Sequence, residues 1–475
     1  MLNYFPKWIS NKSVQLFFFV LILTKIVWSQ YALSVSYILV SAISVILFFY
    51  GTNLLTKQWG GYSPAAFVKK VFQVGLIVRL IWCLFIYFFN IDYYGSPIGS
   101  TEDTEFYVEV AMQCAEHLAN GSFAFLDIWF NNYNIDLDDI GYPIFLGLQY
   151  LITFNVSDIV IPFIFKSILG AYSCVLIYKV ARRHFGESVG RIAGIMCMFY
   201  PHMIYWCGSM MKEAEMVFLC CWFVERMDAV LMSKQLNWKA LIYASLLAFS
   251  LYLFRSALGI VAFGVVFISL FLSEKRFISS TKKVIVAIVV SLVLLVSIGG
   301  QMKSQFDVMY DEVTSGAQAE NMEWRSNRKG GNEFAKYAGA AVFAPLIVTI
   351  PFPTMVIANP DQVYQMQMAG GNFIKNVISF FVIFVLFWLI VNKEWRKHTF
   401  ILFFMLGYLA VLVVSGFAQS GRFHMPIMPL EIVFAAYGIT ILPKNKRHWF
   451  NYALIFEFVV CIAWNWFKLK GRGMI

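Results

Sequence analysis

The stretch TEDTEFYVEVA, residues 101–111, carries Glu102, Asp103, Glu105 and Glu109 in a chain that is otherwise mostly apolar. A carboxylate within hydrogen-bond reach of a hydroxyl can take its proton. Asp103 stands out because the spacing predicts that it opens a helix, where free backbone N–H groups favour an anion. Tyr107 follows one turn later on the same side, so a carboxylate and a phenol are presented together. Asp138 and Asp139, just ahead of Gly141–Tyr142–Pro143, are the next carboxylates; they read as ligand-binding groups or as a solvated turn. The cations that could meet an anion are Lys212 beside Glu213, Arg255, and Arg422 in the run QSGRFH, which also holds His424. A guanidinium fork suits a phosphate. Arg255 separates two apolar runs, LIYASLLAFSLYLF and SALGIVAFGVVF, where a charge is expensive unless it faces a partner or a polar cavity. Blander readings stand beside these. Arg422 can snorkel to lipid headgroups, Arg255 can touch lipid phosphate, Lys212 can pair with Glu213, and His202 can be an interfacial helix residue.

The elements that must position these groups follow from composition. The chain has 475 residues, of which 60% are hydrophobic and 13% charged, and its mean hydropathy is +0.68. That is too little charge to cover the cores of a soluble protein. Apolar runs of near-bilayer length fall at 13–30, 33–50, 71–90, 160–178, 188–204, 213–231, 240–254, 256–273, 284–300, 373–391, 399–417, 426–443 and 448–466. The chain therefore reads as a polytopic membrane protein. The formal net charge of +10 sits in short clusters between these runs. Such clusters mark the cytoplasmic side and call for no nucleic acid. No small-residue cleavage site follows the run Val14–Trp28. Seven of the eight cysteines lie in or near apolar runs, which argues against a disulfide framework.

Two further runs are awkward. Residues 141–155 are short for a span, and 339–358 contain Pro351–Phe352–Pro353, which breaks a straight helix. Keeping every basic cluster cytoplasmic requires that neither crosses, which gives about thirteen spans with the N-terminus inside and the C-terminus outside. The loops 91–140 and 301–338 then lie on the outer face, where large loops commonly carry function. The first also holds Asp92, Glu116, Asp127 and Asp136, and has no Lys or Arg. Within it Phe106, Val110, Ala111, Cys114, Ala115 and Leu118 recur at helical spacing, predicting an amphipathic surface helix over 103–119 that Asn120–Gly121 ends. Arg79, inside the run 71–90, is a candidate for a structural ion pair.

Four pieces of sequence, taken in order, resemble the C-type superfamily of membrane glycosyltransferases, in particular its bacterial protein mannosyltransferase-like and aminoarabinose transferase-like members. They are DTEFY at 103–107 with Ala111 and Asn120–Gly121; GYPIFLGLQYLI at 141–152; the Arg182–Gly186 break followed by YPHMIYWCGSMMKEA at 200–214; and SGRFHMPIMP at 420–429. The resemblance implies an all-α polytopic bundle of about eleven to thirteen transmembrane helices, with amphipathic helices in the first outer loop. Residues 1–68 read as an N-terminal two-helix addition to a transferase domain spanning 69–475.

The resemblance also implies an activity: inverting transfer of a sugar from a polyprenyl-phosphate donor to a lipid, glycan or protein acceptor. Asp103 matches the acceptor-activating carboxylate. Tyr107, Asp138, Asp139 and Tyr142 are candidate acceptor or sugar contacts. Arg422, Arg255, Lys212 and His424 are candidate donor-phosphate ligands, and Glu213 and His202 are supporting groups. On that reading Asp103→Asn spares donor binding. Some relatives need a divalent metal, and no metal ligand is identifiable here. The implied setting is a bacterial cytoplasmic membrane, with the site facing the periplasm or exterior. A lipid-linked polysaccharide polymerase or ligase and a transporter remain the alternatives. A transporter favours midplane charge and repeated halves, and no repeat is visible.

Overall fold

Apolar runs inside a bilayer have no water for their backbone, so each must close its own hydrogen bonds as a helix. The computed structural model describes residues 2–99, 102–133, 135–137, 139–153, 159–233, 237–272, 322–323, 326–327, 331–334, 340–415 and 417–475. Among these, regular structure is helical apart from one isolated β-bridge between Ala32 and Val356. Every expected span has its helix except 284–300, which lies outside the described residues, as does most of the loop 301–338. The principal helices are α1 (Lys7–Val27), α2 (Val35–Ile46), α3 (Thr52–Gln58), α4 (Pro64–Tyr94), α5 (Glu102–Ala119), α6 (Phe125–Asn132), α7 (Gly141–Thr153), α8 (Val160–Phe185), α9 (Glu187–Phe199), α10 (Pro201–Tyr205), α11 (Glu213–Met232), α12 (Trp238–Phe254), α13 (Ser256–Leu272), α14 (Ala369–Val391), α15 (Thr399–Val414), α16 (Met428–Ile441) and α17 (Arg447–Lys470).

Seven helical stretches among the described residues are long and apolar enough to cross a membrane, with α2 and α3 counting as one through a π turn. Three more, α12, α13 and α16, are apolar but shorter. The helix α9 stops where Tyr200 turns extended ahead of Pro201, as a residue before proline tends to. α11 is long enough but carries Glu213, Glu215, Glu225, Arg226 and Asp228. The chain is an integral, all-helical polytopic membrane protein.

α8 packs against α4, α9 and α11, while α14 packs against α2 and α16. The membrane windows of α8 and α14 are each 61% buried, against 28% for α4 and 22% for the helix that includes α17, so the first two form the interior and the last two face lipid. The N-terminal helices join the same body: α1 lies on α17, α2 on α14 and α3 on α9.

Neither of the two awkward runs forms a single helix of membrane length. α7 is a thirteen-residue helix lying against α5. Residues 340–358 break into a short helical turn, a 3-10 turn and then irregular chain. Irregular backbone among helices needs partners for its polar groups, and side chains from α14 and α17 supply them. Lys375 donates to Ile350 O, and Asn376 to Thr349 O and, at 3.0 Å, to Pro351 O. Asn465 donates to Pro353 O at 3.2 Å and accepts from Met355 N at 2.7 Å.

The end of the bundle that bears basic clusters is tied by charge. Arg182, Arg183 and His184 close α8 before Gly186 (φ 91°), where cations complement the helix dipole. Arg183 reaches Asp228 at 2.5 Å and Glu225 at 2.8 Å. His184 joins Asp228 at 2.9 Å through Nε2 and His398 at 2.8 Å through Nδ1. One expectation is corrected. Arg79 makes no ion pair among the described residues; its guanidinium donates to Gly75 O at 3.0 Å, Met198 O at 3.4 Å and Cys174 Sγ at 3.5 Å. Two backbone carbonyls and a thiol sulfur thus take its terminal nitrogens, while its buried Nε has no partner among the described residues.

All eight native cysteines are buried, so single exposed cysteines can report sidedness. Asn120→Cys, beyond α5, and Asn392→Cys, beyond α14, should label with a membrane-impermeant thiol reagent from opposite sides of sealed vesicles. Labelling of both from one side would overturn the arrangement.

Candidate active site

The acidic stretch folds into α5, Glu102–Ala119, and Gly121 (φ 66°) ends it. Its apolar face, with Val110, Ala111, Cys114 and Ala115 buried, lies on α7. Gly147 of α7 permits the close approach: a Cβ there would sit 2.9 Å from Ala111 O and from Cys114 Sγ. Asp103 at the start of α5, Tyr107 one turn on, and Asp139 just before α7 are thereby held as one unit.

Three other breaks in the helical bundle deliver charge to that unit. Glu213 opens α11, where an acid is favoured, and Lys212 precedes it. Arg255 sits in the extended break between α12 and α13. Arg422 lies on the single turn Gly421–His424 that follows α15. Arg422 binds Asp103 at 2.6 Å through one terminal nitrogen and Glu213 through Nε. Arg255 approaches the same Glu213 oxygen at 3.9 Å and donates to Tyr408 at 3.0 Å. Lys212 binds Asp139, and Tyr107 donates to that carboxylate at 3.4 Å. Phe423 supplies a ring face 4.4 Å from the guanidinium of Arg255, within range for a cation–π contact. Three acids and three bases thus alternate around one site.

Burial grades these groups. The Glu213 side chain is 0% exposed and that of Arg422 20%, while Asp103 is 56% exposed. Burial, helped by the charges of Asp139 and Glu213, pushes the Tyr107 phenol well above its ordinary value, so it donates rather than acts as a base. Burial lowers Lys212, and Asp139 works against that.

Asp103, Tyr107, Asp139, Lys212, Glu213, Arg255 and Arg422 therefore converge; Asp138 lies outside the described residues. Several readings need correction. Lys212 pairs with Asp139 rather than Glu213, since adjacent side chains at a helix start diverge. Arg422 and Arg255 turn inward to carboxylates rather than out to lipid. Tyr107 and Tyr142 are buried, and their rings meet edge to face at 5.1 Å, so they form the wall and neither is open to a sugar. His424 is buried and turned away, joined to Ala418 O at 2.7 Å and to Lys375 at 2.7 Å; it holds the turn and is not open to a phosphate. His202 bonds Asn372 at 2.9 Å and backs Gly421, whose Cβ would lie 3.6 Å from its Nε2.

A divalent ion needs convergent donors. No three His, Cys, Asp or Glu side chains among the described residues could hold one, and Asp103, Asp139 and Glu213 each face a cation.

Sequence reasoning missed Lys166 and Glu215. They form a buried pair at 2.7 Å, and Lys166 also donates to Met211 O at 2.7 Å and stands 4.7 Å over the ring of Tyr142. It missed Lys375 and Glu431 as well, which lie 4.0 Å apart within α14 and α16. The available signal was a charge inside an apolar run, which demands a partner. Tyr408 carried no such signal.

Residues 142–298 match the family described as dolichyl-phosphate-mannose-protein mannosyltransferase. The match supports a similarity of this segment to the C-type membrane glycosyltransferases. It starts at Tyr142 and contains Lys166, Lys212, Glu213, Glu215 and Arg255, leaving Asp103 and Arg422 outside. Among solved structures, the archaeal oligosaccharyltransferase AglB from Archaeoglobus fulgidus, in complex with an inhibitory peptide and a dolichol-phosphate, is similar at 10% identity and a TM-score of 0.42. The similarity covers 85% of this chain but only 55% of that one, so the chain spans about half the length of that protein. No curated protein matches.

Removing one partner of a buried ion pair strands the other charge. Lys166→Met should cost about 3–5 kcal/mol, read as a lowered thermal unfolding midpoint of the full chain in detergent. Pairing it with Glu215→Leu should recover most of the loss. No recovery in the double variant would mean that Lys166 stabilises through Met211 and Tyr142 alone.

Proposed function

We propose that the chain is a glycosyltransferase that moves a sugar from a polyprenyl-phosphate donor to an acceptor hydroxyl, with inversion, at the extracytoplasmic face of a bacterial cytoplasmic membrane. The observation that carries this reading is the meeting of Asp103 and Arg422 at 2.6 Å, which puts a base and a phosphate ligand in one half-exposed site. The family match over 142–298 supports the choice of donor class. An apolar groove supports it too. The groove has about 480 Å³ and is lined by Phe343, Leu346, Ile350, Phe352, Trp464, Phe467 and Gln419 among others. Gln419 lies three residues before Arg422 in the chain, so groove and arginine share one loop.

In this mechanism Arg422 grips the donor phosphate, with Arg255 and Lys212 adding positive field where negative charge develops. Asp103 takes the proton of the acceptor hydroxyl. The acceptor oxygen bonds to the anomeric carbon from the face opposite the phosphate. The carbon–oxygen bond to phosphate breaks, its electron pair leaves with the polyprenyl phosphate, and inversion results. The arginines neutralise the leaving group, so the scheme needs no metal ion. The catalytic unit is residues 69–475, to which 1–68 add two helices. The acceptor is a lipid, a glycan or a protein hydroxyl.

Asp103→Asn should cut transfer by about 10²-fold or more, measured with purified protein and a polyprenyl-phosphate sugar. Glu102→Gln and Glu105→Gln should cost far less. Near-parent transfer by Asp103→Asn together with inactive Asp139→Asn would move the base to the far end of the loop. Arg422→Ala should weaken donor binding by about tenfold, and Arg255→Ala in the same direction. Unchanged affinity in both would remove these arginines from the phosphate site.

A further inference from the structure

Arg422 has two carboxylate partners of unequal standing. Glu213 is wholly buried, belongs to α11 and is shared with Arg255, so it cannot withdraw without stranding two cations. Asp103 is more than half exposed, sits at the start of α5 and meets one terminal nitrogen of the guanidinium. An ion pair that exposed contributes about 1 kcal/mol at most. A phosphate brings charge and two non-bridging oxygens that match the arginine fork.

We propose that Asp103 is the resident anion of the phosphate site, that the donor phosphate displaces it from Arg422, and that the carboxylate so released becomes the base for the acceptor. The inference rests on the glycosyl-transfer reading above. It assigns Asp103 two successive roles, competitor and then base. While Asp103 lies on Arg422, its Oδ2 accepts from the guanidinium and is occupied when an acceptor hydroxyl arrives. Donor binding lifts that restraint, so the base is competent only when a sugar is present to receive the acceptor. Glu213 keeps Arg422 in place during the exchange, which makes Asp103 the only part that has to move. Binding is then ordered, donor before acceptor. Replacement of Asp103 should therefore strengthen donor binding, in contrast to the expectation from the sequence that it spares it.

The test uses the full chain in nanodiscs and a long-chain polyprenyl monophosphate, the leaving group of the proposed reaction, which requires no knowledge of the sugar. The matching polyprenol, without phosphate, is the control. Asp103→Ala should bind the monophosphate about fivefold more tightly than the parent, with polyprenol binding unchanged. Asp103→Asn should move the same way by less. Arg422→Ala should bind weakly, and Asp103→Ala added to it should give no gain, since the competition exists only on that arginine. Equal or weaker monophosphate binding by both Asp103 variants, while the parent binds, overturns the exchange and leaves the transfer reading standing. Failure of the parent and all variants to bind the monophosphate overturns the transfer reading and the exchange together.

Discussion

Glu213 is the constraint on which the site depends. Its carboxylate is fully buried at the start of α11 and is shared by Arg422 and Arg255. Two guanidiniums brought this close repel one another, and neither can be buried cheaply without an acid between them. The buried acid thereby binds three regions of the chain into one place: the opening of α11, the break between α12 and α13, and the turn after α15. Lys166 and Glu215 form a second buried pair on α8 and α11, where the ammonium also donates to Met211 O and stands over the ring of Tyr142. The charges inside this bundle are thus its internal scaffolding as much as its chemistry.

The acidic helix is added to that scaffold from outside. α5 rests on α7 through Gly147, and its chemistry sits at its solvent-facing start. This division fits the proposed transfer from a lipid-borne donor to an acceptor arriving from the aqueous side. Cations that meet phosphate belong on the bundle, where they can be desolvated and fixed. A base that meets an exchanging acceptor belongs on a surface element with freedom to shift. The irregular chain at 347–358 plays the complementary part on the apolar side. Its carbonyls are capped by Lys375, Asn376 and Asn465, which lets non-helical backbone stand among membrane helices and border an apolar groove.

Much of this was legible in the sequence because it follows from local pattern. Apolar runs of bilayer length dictate helices, and the helical spacing of Phe106 through Leu118 dictated α5 and its buried face. Pro351 and Pro353 forbade a straight span, and the residues that carry charge at the site were visible as polar groups in the turns between apolar runs. What the sequence could not state was who pairs with whom. Lys212 and Glu213 are neighbours in the chain yet face different partners, Asp139 and Arg422. His424 and Arg422 share one turn, yet one points into the bundle toward Lys375 and the other toward the carboxylates. Arg79 looked like half of an ion pair and is held by backbone carbonyls instead. The sequence by itself determined the membrane class, the helices and the supply of charged residues, because those depend on the chain's own periodicity and hydropathy. Only the tertiary structure decided that Asp103 lies on Arg422 and that Glu213 sits between two arginines. The two contacts of Arg422 join positions hundreds of residues apart, and the energy of all three exists only once packing has removed the water between them.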